Sequence, residues 1–415
     1  MLKISLHALA VSITALVLTS CANKKAVEGS NERDSLVLSQ ARPLLVGRIP
    51  ENIGVDLSQS RSLVTSKLVS DDHEIIKLET ADNYLIGEIS KVIVHGNRIF
   101  ILDRGVAKTV FCFDRTGKFI NLIGSRGGGP GEIDDPRDIE VVDNRVYLID
   151  RQCRIFTFDL DGRFLSYFRL PFLSTQFCLL NGQSIFLYNQ EKSDQFTDHL
   201  IQIKQFQSVV SSDFTIRSEF VSDYSGLQSF ARNKNRALFI KMFCDTIFRL
   251  DSISVYPAFV ISSSKQIPSD YFSSRAKVQD AFSSNDYFRL APQNFAENDS
   301  SLIFTSTYQG SLNYHYFDKQ SRKHVWFKRF SDDLFQGGLF PPVVVGIDDE
   351  HFVYVLSMPE MLSNYRSIRS ENPEELDVLI QKYPKLKDFF LLCEKSTPDD
   401  NPALLVTRVS SKIYE

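Results

Sequence analysis

The chain of 415 residues is poor in tryptophan and methionine, with one and four respectively. It has no surplus of basic charge: 47 Lys and Arg stand against 51 Asp and Glu, a formal net charge of −4. A protein that tracks a phosphate backbone carries a clear basic face, so nucleic acid is excluded as a partner. No Cys-x-x-Cys occurs, and the seven histidines never fall at His-x-His or His-Glu-x-x-His spacing. That removes the metal signatures that one segment can carry alone. No Gly-x-Ser-x-Gly elbow is present, which withdraws the commonest serine-hydrolase reading. The one glycine-rich run, Gly124–Gly131, leads through Pro130-Gly131-Glu132 towards a strand rather than through Gly-Lys-Ser/Thr into a helix. It is read as a structural turn and not as a phosphate loop.

What is abundant is phenylalanine and tyrosine, 33 and 15 residues, within a 43% hydrophobic composition. Aromatic and β-branched side chains suit a pleated, half-buried surface, so the composition leans towards sheet. The first residues stand apart. Lys3 precedes an apolar run over Ile4–Leu18, which ends in Leu18-Thr19-Ser20-Cys21. A run of that length with a small-residue exit predicts a secretory signal over 1–20, too short to span a membrane. Leu-Thr-Ser-Cys resembles a bacterial lipobox, which implies that Cys21 is the lipidated first residue after cleavage. An ordinary signal with an incidental cysteine is the plainer alternative. Residues 21–70 are mostly polar and read as a tether, with a small apolar patch at Pro43–Val46 that packs. No acidic cluster follows Cys21. The expected address is therefore a lipid anchor in the bacterial outer membrane, periplasm-facing rather than surface-exposed. Five further cysteines, Cys112, Cys153, Cys178, Cys244 and Cys393, are an odd number and read as small buried residues, with one disulfide left open.

The strongest signal is internal repetition. Asn97-Arg98-Ile99-Phe100-Ile101-Leu102-Asp103-Arg104 returns as Asn144-Arg145-Val146-Tyr147-Leu148-Ile149-Asp150-Arg151, 47 residues later. Phe111-Cys112-Phe113-Asp114-Arg115-Thr116-Gly117 returns as Phe156-Thr157-Phe158-Asp159-Leu160-Asp161-Gly162, 45 residues later. A period in the mid-forties with several short strands marks a propeller blade. Each unit reads as four strands. Gly117 and Gly162 sit in the last hairpin turn, and the largely apolar central strands call for packing on both faces. The expected architecture is all-β, a six-bladed β-propeller over 71–415, with seven the alternative count. Glu74–Leu78 is expected to complete the last blade beside Val343–Ile347, Phe352–Leu356 and Leu404–Val409. Residues 359–398 break the strand pattern. There Asn372-Pro373-Glu374-Glu375 predicts a helix start, with Asn372 as cap, inside a helical insertion of the last blade.

The segment Gly127-Gly128-Gly129-Pro130-Gly131-Glu132-Ile133-Asp134-Asp135-Pro136 followed by an inner strand resembles the inter-blade segment of NHL repeats. In detail the chain is similar to six-bladed β-propeller lipoproteins of outer-membrane-bearing bacteria, most densely over 84–170. That resemblance implies a fold and an address, not an activity. Asp103, Arg104, Asp150 and Arg151 recur in register and are assigned a structural role: the Asp accepts turn amides and the Arg covers a loop. Arg126, Arg137 and Asp138 lie where the chain enters an inner strand, near the expected channel mouth, and are the candidate ligand contacts. No catalytic residue, cofactor or metal ligand is assigned. Function reads as a binding or interaction scaffold for a glycan, peptide or protein. The alternative is a metal-dependent propeller enzyme of lyase or lactone-hydrolase type, which needs several carboxylate, amide or imidazole groups converging at the channel mouth.

Overall fold

A computed structural model describes residues 37–38 and 45–415, leaving aside 130, 205, 207, 216–227, 242–243, 253, 292–293, 336, 340–341 and 385. The signal over 1–20 and Cys21 lie outside the described residues. No helix among the described residues is long and apolar enough to cross a membrane.

The chain folds as a succession of antiparallel meanders. The first runs Lys91–His95, Arg98–Asp103, Thr109–Asp114, Phe119–Ile123. The second runs Pro136–Val142, Arg145–Asp150, Arg154–Asp159, Phe164–Arg169. Both follow the repeat read from the sequence. Arg98–Asp103 and Arg145–Asp150 are buried along nearly their whole length because each is apolar on both faces. The third meander holds Phe177–Leu180, Ser184–Tyr188 and Asp198–Lys204, plus an unanticipated outer strand, Ser208–Thr215. The fourth holds Phe230–Asn233, Arg236–Ile240, Thr246–Leu250 and Val255–Ser263. In the fifth, Ser301–Tyr308, Ser311–Asp318 and His324–Ser331 carry the short inner pieces Arg289–Leu290 and Ala296–Glu297. The last holds Val344–Asp348, His351–Leu356 and Ala403–Thr407, with Glu74–Lys77 pairing antiparallel on Ala403–Val406. Strand 74–77 thus lies where the sequence put it. The result is an all-β, multi-sheet fold of propeller-like architecture with a helical cluster near the C-terminus.

Side chains alternate between two neighbouring meanders, and that alternation builds the core. Phe100, Leu102 and Cys112 face Ile139, Leu148 and Phe156 of the second meander. Ile99, Ile101 and Phe111 face Val353, Leu404 and Ile76 of the last. Each fully buried Phe, Leu or Ile contributes about 1.5–3 kcal/mol over leaving it exposed. All five described cysteines are free thiols, four of them buried, and no disulfide forms among them.

The polar tether expected over 21–70 needs correction. Glu51–Val55 pairs in parallel with Val255–Ser263, and Arg61–Val64 pairs in parallel with the end of the strand His324–Ser331. Ile53, Val55 and Leu63 are buried, so an alternating pattern inside a polar stretch was strand-forming. These strands cover outer edges that would otherwise present unpaired amides. Of the patch at Pro43–Val46, Pro43 and Leu44 lie outside the described residues, and Leu45 and Val46 stay nearly half exposed. Val46 is attached through its backbone, its amide donating to the Val255 carbonyl at 2.7 Å.

The helical insertion comprises Met358–Glu371, Pro373–Lys382 and Leu386–Glu394. Asn372 takes the cap position before Pro373, but its side chain makes no capping hydrogen bond. The helices bury Met361, Leu362, Phe389 and Phe390 against Phe335, Leu339 and Leu356. They replace the short connection that follows the second strand of the first two meanders, where Arg104 and Arg151 sit.

Gly117 and Gly162 show why the hairpin turn repeats. Asp114 accepts the amides of Thr116 and Lys118 at 2.8 and 3.0 Å, and Asp159 accepts those of Asp161 and Arg163 at 3.0 and 2.8 Å. The glycines have φ of +84° and +82°. A Cβ on Gly117 would meet the Lys77 carbonyl oxygen at 1.9 Å, and one on Gly162 would meet that of Leu122 at 2.5 Å. The turn is wedged against the neighbouring meander's backbone. Gly117→Ala is expected to cost about 2 kcal/mol or more through strained φ and overlap. Gly128→Ala, with nothing within 4 Å of its Cβ, should stay within about 0.5 kcal/mol of wild type. Urea denaturation of the two variants checks the pair.

Two histidines in the fifth meander make stability depend on pH. His315 Nε2 lies 2.7 Å from Ser306 Oγ, and its Nδ1 lies 3.1 Å from His324 Nε2. Burial, with the charge of His324 a lesser cause, drives His315 well below its ordinary value, and burial brings His324 down to about 4. Between about pH 6.5 and 4 the unfolded chain binds protons that the folded chain refuses. This contribution is complete above the ordinary histidine range and is lost as pH falls through that window. The urea midpoint should therefore drop between pH 7 and pH 5, and the drop should be smaller in His324→Gln. An equal drop in both would count against this origin.

Candidate functional site

The inner strands of five meanders border a cavity of about 440 Å³. Its wall includes Lys91, His95, Glu140, Arg232, Asn233 and Lys234, with Ile93, Phe230 and Val344 as apolar surface between them. Several of these residues, His95, Asp143, Lys234 and Asp349, lie at the turns that close the inner strands. The lining reaches from Lys91, Phe230 and Val344, at the beginnings of the inner strands, to these turns.

A charge network crosses it. Lys91 Nζ donates to Asp138 Oδ1 at 2.8 Å and to Glu140 Oε1 at 3.0 Å. Arg232, from the fourth meander, places Nε 2.6 Å from Glu140 Oε2 and donates from Nη2 to the Val141 carbonyl at 3.1 Å. Asp138 Oδ2 also accepts the Phe177 amide of the third meander at 3.2 Å. Burial pulls the Lys91 ammonium down, but Asp138 and Glu140 more than offset it, so the net shift is upward and Lys91 stays charged. Burial raises the Asp138 carboxyl, opposed by Lys91. Two cations and two anions thus tie three meanders together around the centre. Beside them, Asn233 is 3% exposed and its Nδ2 has no hydrogen-bond partner. Lys234 at the rim reaches Asp299 and Asp349, each at 3.1 Å.

The sequence-derived candidates separate. Asp138 belongs to the network but does not itself line the cavity; it holds Lys91, which does. Arg137, the residue before Asp138 on the same strand, donates from Nη2 to Asp135 Oδ2 at 2.7 Å. Arg126 is exposed on Ser125–Arg126, which pairs with Glu132–Ile133 at the base of the glycine loop. That loop is held by Glu132, whose Oε2 accepts the Gly129 amide at 2.7 Å. Asp103 is fully buried and accepts the amides of Gly87, Glu88 and Val106 at 2.8, 3.0 and 2.8 Å. Asp150 accepts those of Gln152 and Arg154, both at 2.9 Å, and the Arg154 guanidinium besides. Arg104 and Arg151, by contrast, have no ion-pair partner among the described residues.

Lys91, Glu140 and Arg232 were not singled out from the sequence, although a signal existed. Lys91 occupies in the first repeat the position of Asp138 in the second, 47 residues on, and Ile93 that of Glu140. Opposite charges at equivalent positions of adjacent inner strands predict a bridge between them. Among the described residues no group of three or more His, Cys, Asp or Glu is placed to hold a metal ion. The convergence that a metal-dependent lyase or lactone hydrolase needs is thus not found among them.

The chain belongs to the family described as a domain of unknown function, DUF4934, which matches residues 51–408. No functionally curated protein matches it. Among solved structures it resembles a protein of Bacteroides fragilis described as a candidate exported protein, with TM-score 0.64 and 17% identity over 88% of this chain and 100% of that one. Weaker likenesses reach BamB of Moraxella catarrhalis, with TM-score 0.38 and 11% identity over 60% of this chain and 66% of that one. The WD40 repeats of RRP9 give TM-score 0.42 and 9% identity over 82% and 98%. At such identities the first of these speaks to fold alone.

The network makes a sharp energetic demand. Lys91→Met leaves Asp138 and Glu140 buried without their shared cation and should cost about 3–5 kcal/mol. Adding Asp138→Asn should recover part of the loss, with a coupling of about 1 kcal/mol or more in a double-mutant cycle read from urea midpoints.

Proposed function

For this member of the family we propose a ligand-binding or protein-interaction scaffold built on a closed six-bladed propeller, with the central cavity as its binding site. Ring closure is supported by the neighbourhood of the inner strands. Lys91–His95 lies beside Pro136–Val142, which lies beside Phe177–Leu180, and the succession continues through Phe230–Asn233, Ala296–Glu297 and Val344–Asp348 back to Lys91–His95. At the junction Gly346 and Ile347 pair in parallel with Val92 and Ile93, and Glu74–Lys77 supplies the outer strand of the last blade.

The observation that carries the binding reading is the cavity wall. Five blades each present a different inner strand, and together they offer charged, amide and apolar surface around a volume suited to a small polar ligand or the tip of a chain. The buried, unpartnered Asn233 Nδ2 is a donor waiting for an acceptor. A glycan or peptide supplies such acceptors together with apolar faces. The lipobox-like Leu18-Thr19-Ser20-Cys21 supports an anchor at Cys21 in the outer membrane, facing the periplasm.

The full chain, purified in detergent, is screened against glycan and peptide panels by thermal shift, since a ligand that binds only the folded state raises its apparent stability. A ligand so found should bind at least tenfold more weakly to Asn233→Leu and to Lys234→Glu, a loss of about 1.4 kcal/mol. A ligand indifferent to both changes would remove the cavity from the reading. For the anchor, Cys21→Ala should move the protein from the membrane fraction to the soluble fraction.

A further inference from the structure

At the leading end of the inner strands lies a second charged feature that the cavity does not use. Leu102 pairs with Lys91, Asp138 pairs with Ile149, and Lys91 is bonded to Asp138. Arg104 and Arg151 each lie two residues beyond those partners, so they flank the same inter-blade junction at the same end. Arg137 stands between them. The register slips between Pro136 and Asp138, which makes Arg137 the extra residue of a bulge, and Pro136 pairs with Asp150 beside Arg151. The Arg151 amide also donates to the Asp135 carbonyl at 2.9 Å, and it is the Asp135 carboxylate that Arg137 engages. Burial lowers the Arg137 pKa, Asp135 opposes the fall, and the positive charges of Arg151 and Arg104 add to it.

Of the three guanidiniums only Arg137 pairs with a carboxylate, that of Asp135, while the Glu88 carboxylate lies against Gly105 beside Arg104. The aspartates adjacent in sequence cannot neutralise them, because Asp103 is committed to turn amides and Asp150 to Arg154. Arg137 Nε and Asp135 Oδ1 are buried without hydrogen-bond partners. Arg126 projects from the loop that leads into Asp135. Like charges held together raise the energy of the folded chain unless an anion joins them.

We propose that Arg104, Arg137 and Arg151 form an anion site at the leading end of the inner strands, between the first two blades. Its ligand carries carboxylate or sulfate groups, since the site holds an excess of positive charge and planar forks that pair oxyanions bidentately. A free polycarboxylic acid and an acidic glycan share that chemistry. The site is separate from the central cavity and does not rest on the binding reading given for it.

The full chain, purified in detergent at low salt, is titrated calorimetrically with citrate and with a sulfated oligosaccharide. Binding of either is expected, weakening steeply as ionic strength rises. Citrate as the tighter ligand identifies a free acid; the oligosaccharide binding tenfold or more tightly identifies a glycan. Arg104→Gln/Arg151→Gln should weaken binding at least tenfold and leave the ligand-free urea midpoint unchanged or higher, because it relieves repulsion. Lys192→Gln/Lys395→Gln, an equal loss of charge on exposed positions elsewhere, should leave affinity within twofold, as should Asn233→Leu. No binding of either probe, binding that survives the arginine double variant, or a lowered midpoint in that variant would each overturn the proposal.

Discussion

Every meander in this chain is apolar on both faces, and no single one can be stable in water. Phe100 and Leu102 need the second meander, Ile99 and Ile101 need the last, and the same two-way demand recurs in Tyr147 and Ile149 against Val146 and Leu148. A linear stack would leave its first and last sheets wet. Ile76, Val353 and Leu404 of the last meander pack against Ile99 and Phe111 of the first. The antiparallel pairing of Glu74–Lys77 with Ala403–Val406 follows from that requirement, and it joins distant parts of the chain by backbone hydrogen bonds as well as by packing.

Stacking of this kind brings the inner strands together, and there packing alone does not decide the side chains. A charge at such a position must find its partner on a neighbour. Lys91, Asp138, Glu140 and Arg232 do so across three meanders. The same device appears further out. Glu297 is fully buried and receives Arg249 from the fourth meander together with Lys319, whose Nζ is 2.8 Å away. Arg115 of the first meander pairs with Asp348 of the last. These bridges add directionality to a non-directional core. Their geometry is satisfied only when each meander meets its proper neighbour.

Much of this was readable in the residues, for identifiable reasons. Phe-x-Phe-Asp followed by a glycine turn recurs because the turn glycine abuts the backbone of the preceding meander, so its sequence mark is strong. The helix start at Pro373 was readable from proline and the acids behind it. The strands Glu51–Val55 and Arg61–Val64 were not, because each adds one short edge strand and buries only one or two side chains, too few to outweigh the polar residues around them. Ala296–Glu297 was hidden because its inner strand is two residues long. The network residues were missed for another reason: Glu140 and Arg232 meet from repeats two apart, a pairing that the order of the repeats does not announce.

In a repeat architecture, equivalence and departure from it carry different information. Asp103 and Asp150 are equivalent because both close the same turn, and nothing about a ligand need be invoked for them. Lys91 and Asp138 occupy one repeat position with opposite charge, which no turn or core requires. That departure points to the centre. Arg104 and Arg151 are a third case, equivalent in position yet surplus to the turn, since their neighbouring aspartates are satisfied without them. The helical insertion departs from the repeat at the same connection in the last meander, replacing a short turn with three helices that bury Phe389 and Phe390. The leading end of the inner strands thus carries these arginines and the added structure, while the cavity runs along the strands themselves.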